Sequence, residues 1–255
     1  MKLLLSILLL LFFFTNCKTP LINNLHIATA SNMQFAMKAI IEAFEAETSI
    51  KCEMIVSSSG KLTAQIKEGA PYDIFVSADM KFPNRLYKDG FSIAEPQNYA
   101  KGKLVLWSMK EEIQPSIAML ISADINHIAL ANPKTAPYGK AAMETFDFYK
   151  LTHQVQEKLV YGESISQTNQ FISLEAAEIG FTAKSVVSAP FMKGKGRWIE
   201  IPDSVYSPIE QGVILLKNAK KEASLFYEFL FSKKGKAILV DYGYEVEQLR
   251  IDHGK

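Results

Sequence analysis

At 255 residues, with 48% hydrophobic and 22% charged side chains, the chain can bury one large core or two ordinary lobes, and it lacks the composition of a disordered protein. Lys+Arg 28 against Asp+Glu 27 leaves no basic excess. The global charge thus argues neither for nucleic acid nor for an acidic surface as partner, and any bound anion must be held by local groups.

Residues 1–16 read as a targeting segment: Met1 and Lys2, then an apolar run over residues 3–14 broken only by Ser6, then Thr15 and Asn16. The run is too short to span a membrane and has the length of a signal-peptide core. Cys17 directly after it resembles the lipid-bearing first residue of a bacterial lipoprotein. Asn16 stands where a smaller residue is usual, so a free soluble protein cut nearby is the alternative. Residues 17–24 then form a tether. Cleavage removes Lys2 and leaves a mature chain of formal charge zero. Cys52 is then the only other cysteine; with no disulfide partner it reads as a small buried hydrophobe.

From Leu25 onward, short apolar runs alternate with helical periods, which is the pattern of an α/β fold. A strand over residues 25–30 leads through Ser31 and Asn32 into a helix over 33–47 with Met33, Ala36, Met37, Ile40, Ile41 and Phe44 on one face. A second strand over 51–56 leads through Ser57, Ser58, Ser59 and Gly60 into a helix near 62–68. Each turn offers hydroxyl and free N–H donors and no acid, a suitable place for a small anion at a helix N-terminus. Either turn alone reads as an ordinary cap. Two of them in consecutive strand-turn-helix units mark the end of an α/β sheet where ligands sit.

The third unit has a strand over 73–76 and a helix over 81–89. Its Asp73 and Asp79 read as structural and capping carboxylates rather than an acid/base pair or metal site. Residues 102–107 form one strong strand that crosses between lobes. A strand over 125–131 precedes the polar loop 132–139, in which Tyr138 is a further hydroxyl donor, and then a helix over 140–151. A strand at 158–161, the polar turn 162–167, a helix to about 177 and a strand at 179–182 follow. The basic turn Gly194 to Arg197 reads as solvated surface. A strand over 212–216 and two helices end the chain. This organisation suits two α/β lobes joined by two crossovers: residues 25–103 with 210–255, and 104–209, the ligand lying between them.

Six stretches resemble the periplasmic molybdate-binding proteins, the substrate-binding components of bacterial molybdate ABC transporters. They are residues 28–33, 58–60 with 64–66, 69–79, 102–108, 131–133 with 136–139, and 178–181. The resemblance implies a two-lobed periplasmic-binding-protein fold of type II and a solute-binding role without catalysis or cofactor. It implies molybdate or tungstate as ligand, held by Ser31, Asn32 and Ser59 from one lobe, and by Tyr138 and the main-chain N–H of Ile165 from the other. It also implies an ABC permease and its ATPase as partners; the protein is expected to be a monomer facing the periplasm, anchored by a lipid if Cys17 is the lipoprotein cysteine its position suggests. Ala183 stands where some members carry a tyrosine, so the tyrosine of this chain is expected from the earlier loop, at Tyr138. Molybdate and tungstate are fully deprotonated at neutral pH, so a site made only of donors suits them. Sulfate is the alternative oxyanion. An exported hydrolase using Ser59 is disfavoured because no histidine is placed to activate it.

Overall fold

In a computed structural model, residues 24–92 and 94–247 are described. The expected signal segment, the expected tether up to residue 23 and Cys17 lie outside them. The first sheet contains β1 (Leu25–Ala30), β2 (Cys52–Ser57), β3 (Ile74–Ser77), β4 (Gln97–Gly102) and β10 (Ile209–Leu215), in the order β2-β1-β3-β10-β4. The second contains β5 (Leu104–Ser108), β6 (Ile128–Ala131), β7 (Leu159–Gly162), β8 (Ile179–Ala183) and β9 (Arg197–Glu200), in the order β7-β6-β8-β5-β9. In each sheet three strands run parallel, and the chain arrives or leaves through antiparallel ones.

The parallel strands are largely apolar because helices cover both faces, with His26 in β1, Glu53 in β2 and the exposed Tyr161 in β7 as exceptions. In the first sheet α1 (Gln34–Thr48), α8 (Ala223–Phe231) and α9 (Lys233–Asp241) enclose Ile27, Ile40, Phe44, Phe226 and Leu239 on one side. On the other side α2 (Ser59–Lys67) and α3 (Lys81–Lys88) pack Leu62, Ile66 and Leu86 on Phe75 and Ile214. The second sheet is covered by α4 (Pro137–Phe148), the single turn α5 (Thr152–Val155), α6 (Ile165–Ser173) and the single turn α7 (Lys184–Val187). Phe146 and Phe181 meet edge-on there, with centroids 5.2 Å apart.

Four details differ from the sequence expectation. The apolar run 102–107 is two strands, because Lys103 turns out of the first sheet: its carbonyl accepts from Lys184 N–H at 2.9 Å and its ammonium pairs with Asp203 and Glu245. β4 and β9 were not expected, being short edge strands in which polar and apolar residues mix. α4 begins at Pro137, whose fixed φ suits the first helical position, so Tyr138 lies inside the helix rather than before it. Cys52 is half-buried on an edge strand rather than in the core.

Candidate functional site

The C-terminal ends of β1, β2 and β3 face those of β6 and β7, which sets several helix starts against each other. One small cavity lies among them, lined by Ala30, Ser31, Asn32, Ser58, Ser59, Ala78 and, from the other side, Ala136, Pro137, Tyr138 and Ile165. All five residues singled out in the sequence thus border the same space. Its free room for a water-sized sphere is ≈ 10 Å³, about that of one water. No charged side chain and no histidine lines it.

The local capping explains which donors remain available. At α2, Ser58 is the cap, its hydroxyl accepting from Lys61 N–H at 3.4 Å. Ser59, one position on, instead accepts through Oγ from Ala78 N–H at 3.0 Å, which leaves its own proton to give away. Gly60 N–H crosses to the carbonyl of Thr135 at 2.9 Å. At α6, Ser164 caps Gln167 N–H at 3.4 Å, and Ile165 is the first helical residue. At α4 no side chain caps the helix, and Tyr138 is its second residue.

Main-chain N–H groups at such positions have no acceptor within their own helix. Among the described residues those of Ser59, Tyr138 and Ile165 find none elsewhere either. Ser31 opens a 3-10 turn, Ser31–Met33, that runs into α1. Its Oγ is buried and has no hydrogen-bond partner among the described residues. A buried hydroxyl in that state costs free energy unless something accepts from it. Four helix starts therefore meet at one point, each bearing about half an elementary charge, enough in nominal terms to balance a dianion.

Two expected donors are placed differently from the sequence reading. Asn32 lines the cavity, but its amide gives one N–H to Gln211 Oε1 at 2.8 Å and the other to the Tyr244 hydroxyl at 2.9 Å. The Tyr138 ring runs beneath the cavity, and its hydroxyl rests against Gly102, where any Cβ would collide with it. Asn32 and Tyr244 are near this hydroxyl, yet it forms no aligned hydrogen bond, and burial first, then the neighbouring phenols, pushes its pKa well up. Tyr138 thus faces the cavity with its backbone N–H. Tyr244 gave no signal in the sequence, and the one available clue to Gln211 was a glutamine among the apolar residues of β10.

The other titratable groups belong to the framework. Asp79 accepts from Phe82 N–H at 3.1 Å just ahead of α3, whose N-cap position is Met80, and Asp73 pairs with Lys220 at 2.9 Å. Among the described residues no cluster of His, Cys, Asp or Glu could hold a metal ion, and no helix is long and apolar enough to cross a membrane.

The family model for bacterial extracellular solute-binding proteins matches residues 25–245. The molybdate-binding protein ModA of Azotobacter vinelandii is 36% identical over 225 residues, 87% of this chain and 89% of that protein. ModA of Rhodobacter capsulatus is 34% identical over 223 residues, 86% and 87% of the two chains. The solved periplasmic molybdate-binding protein of A. vinelandii superimposes with a TM-score of 0.83 at 32% identity, covering 88% of this chain and 100% of that one. The sulfate-binding protein SubI of Mycobacterium tuberculosis, at 13% identity and a TM-score of 0.73, shares the fold alone. The chain belongs to the bacterial extracellular solute-binding protein family, in the group of the periplasmic molybdate-binding proteins, which bind solutes and are not enzymes.

Proposed function

We propose that this protein captures molybdate, and tungstate with it, on the periplasmic side of the membrane and delivers it to an ABC permease driven by a cytoplasmic ATPase. The observation that carries this reading is the orphaned, buried Ser31 Oγ in a cavity whose remaining groups are hydroxyls and helix-start N–H groups. Such a set gives only hydrogen bonds, which a fully ionised tetraoxoanion accepts at all four corners. Bonds to an ionised acceptor are the strong kind, so no lysine or arginine is required. A protonated oxyanion such as hydrogen phosphate would find only serine hydroxyls, and no carboxylate, to accept its proton.

In this reading Ser31, Ser59 and the main chain at Asn32 hold the anion from the first sheet, and the N–H groups of Tyr138 and Ile165 hold it from the second. Residues 25–103 with the segment from 210 onward act as one lobe and 104–209 as the other, hinged near Lys103 and Ile209. The contact from Gly60 to Thr135 and the pair of Lys61 with Glu163, 2.5 Å apart, close the mouth over the ligand. The protein works as a monomer, tethered through a lipid on Cys17.

Calorimetry on protein stripped of bound anion tests this. Molybdate and tungstate should bind at micromolar concentration or below, with sulfate far weaker. Heat from sulfate alone, or from none of the three, overturns the assignment.

A further inference from the structure

Beneath the cavity, Asn32 is held by a chain of buried amides and hydroxyls. Gln211 is fully buried in β10 and donates through Nε2 to the carbonyls of Ile209 at 3.0 Å and Ala78 at 3.2 Å. With both of its N–H groups committed to main-chain carbonyls, the amide presents only its oxygen to Asn32. Asn32 therefore turns its nitrogen toward Gln211, and its orientation is fixed by groups that cannot flip. Ala78 is also the residue whose N–H donates to Ser59 Oγ. An unbroken series from Ser59 through Ala78 and Gln211 to Asn32 thus joins the two anion-facing turns of the first sheet.

The backbone is shaped to allow this. The pairing of β10 with β4 shifts register between Gln211 and Gly212, a bulge of the kind that re-aims a side chain. At Gly212 a Cβ would stand 2.9 Å from the Asp79 carbonyl and 2.8 Å from the Met80 sulfur, so the strand is pressed against the loop that carries Ala78.

A second hold comes from Tyr244. Its hydroxyl accepts from Asn32 Nδ2 and lies 3.1 Å from both the Asn32 carbonyl and Ser185 Oγ, while Ser185 donates to the Asn32 carbonyl at 2.7 Å. Ser185 belongs to α7 on the second sheet, whereas Asn32 and Tyr244 belong to the first sheet and the segment after α9. This triangle exists only while the two halves are together.

We propose that Gln211 and Tyr244 are positioning residues of the oxyanion site: Gln211 locks the Asn32 turn to the Ser59 turn, and Tyr244, with Ser185, ties that turn to the closed arrangement of the lobes. The proposal deepens the molybdate reading and rests on it. Neither residue touches the anion. Gln211 sets how the donors of the first half are aimed, which bears on the choice between tetraoxoanions of different size. Tyr244 sets how long the closed complex lasts.

The test uses the full mature protein, stripped of anion, and the variants Tyr244→Phe and Gln211→Met. Kd is read by calorimetry and koff by stopped-flow fluorescence, for molybdate and for sulfate. Tyr244→Phe should raise Kd for molybdate about tenfold, nearly all of it in koff, the scale of one buried hydrogen bond. Gln211→Met should raise Kd at least as much and reduce the preference for molybdate over sulfate. Tyr99→Phe is the control: its buried hydroxyl neighbours the Tyr244 phenol but has no hydrogen-bond partner among the described residues, so its removal should leave Kd unchanged. The proposal is overturned if both variants keep Kd within about twofold of the parent, or if Tyr99→Phe loses as much as they do. Should Gln211→Met fail to fold, Tyr244→Phe decides alone. The parent is titrated first: failure to bind molybdate refutes the proposed function, and the variants are then compared on whichever of tungstate and sulfate the parent binds.

Discussion

Replacing Ser59 by alanine probes the site most sharply, because its hydroxyl has two separable tasks. As an acceptor it takes Ala78 N–H at 3.0 Å in a place almost fully shielded from water. As a donor it is free to bond the anion. Loss of a hydrogen bond to a charged group costs about 1.5–3 kcal/mol, which at about 1.4 kcal/mol per factor of ten weakens binding about 10- to 150-fold. Separately, Ala78 N–H is left buried without an acceptor, at a cost of about 1–3 kcal/mol to folding. For a chain of this size each kcal/mol lowers the melting temperature by about 2–4 °C, so the ligand-free variant should melt several degrees below the parent. Calorimetry and scanning calorimetry read the two effects independently. Ser58→Ala is the matched comparison: it removes the cap on Lys61 N–H, worth about 1 kcal/mol of stability, and should weaken molybdate binding much less. Molybdate binding to Ser59→Ala at parental affinity would refute the placement of the anion.

Other substitutions follow from the same geometry. Tyr138→Phe removes a buried hydroxyl that bonds nothing, so stability should hold or rise slightly and molybdate affinity should stay within about threefold; a loss of tenfold or more, read by calorimetry, would put the hydroxyl on the anion. Asp203 is pushed up by burial, but hydrogen bonds from Lys103, Tyr206 and Lys101 outweigh this and hold its carboxyl below the ordinary range. A depressed folded pKa stabilises the fold above the unfolded value of about 3.9, and the gain is lost as pH falls through the folded value. Melting temperatures followed from pH 5 to pH 2 should therefore fall less steeply in Asp203→Asn than in the parent; identical acid limbs contradict the ion cluster of Asp203 with Lys101 and Lys103. Burial pushes the Cys52 thiol up to about 12, so in protein lacking the first 24 residues iodoacetamide at pH 8 should label the native state slowly and the denatured state fast. Equal rates would mean that the thiol is exposed.

What could be read from the sequence was local. The Ser31 and Ser59 turns declared themselves because an apolar strand, a run of small polar residues and an amphipathic helix follow one another within about twenty residues, and each step has its own physical signature. The edge strands carried no such signature. Gln97–Gly102 mixes polar and apolar residues, and Arg197–Glu200 starts on the last residue of what read as a basic turn. The directions of the side chains were equally hidden. Whether Asn32 offers its amide to a ligand depends on Gln211 and Tyr244, which lie 179 and 212 residues further along the chain. Likewise, Tyr138 looked like a hydroxyl donor in a loop until Pro137 proved to start the helix and Gly102 left room for the phenol underneath. Single-residue spacing does not encode contacts of that reach.

The most direct measurement is a diffraction experiment at the molybdenum absorption edge on crystals grown with molybdate. The metal's anomalous peak should fall in the cavity between Ser31 and Ile165, its oxygens bonded by the hydroxyls of Ser31 and Ser59 and the N–H groups of Tyr138 and Ile165, with no lysine or arginine in contact. A peak seated against a cationic side chain, or outside this cavity, would contradict capture of the anion by uncharged donors from both halves.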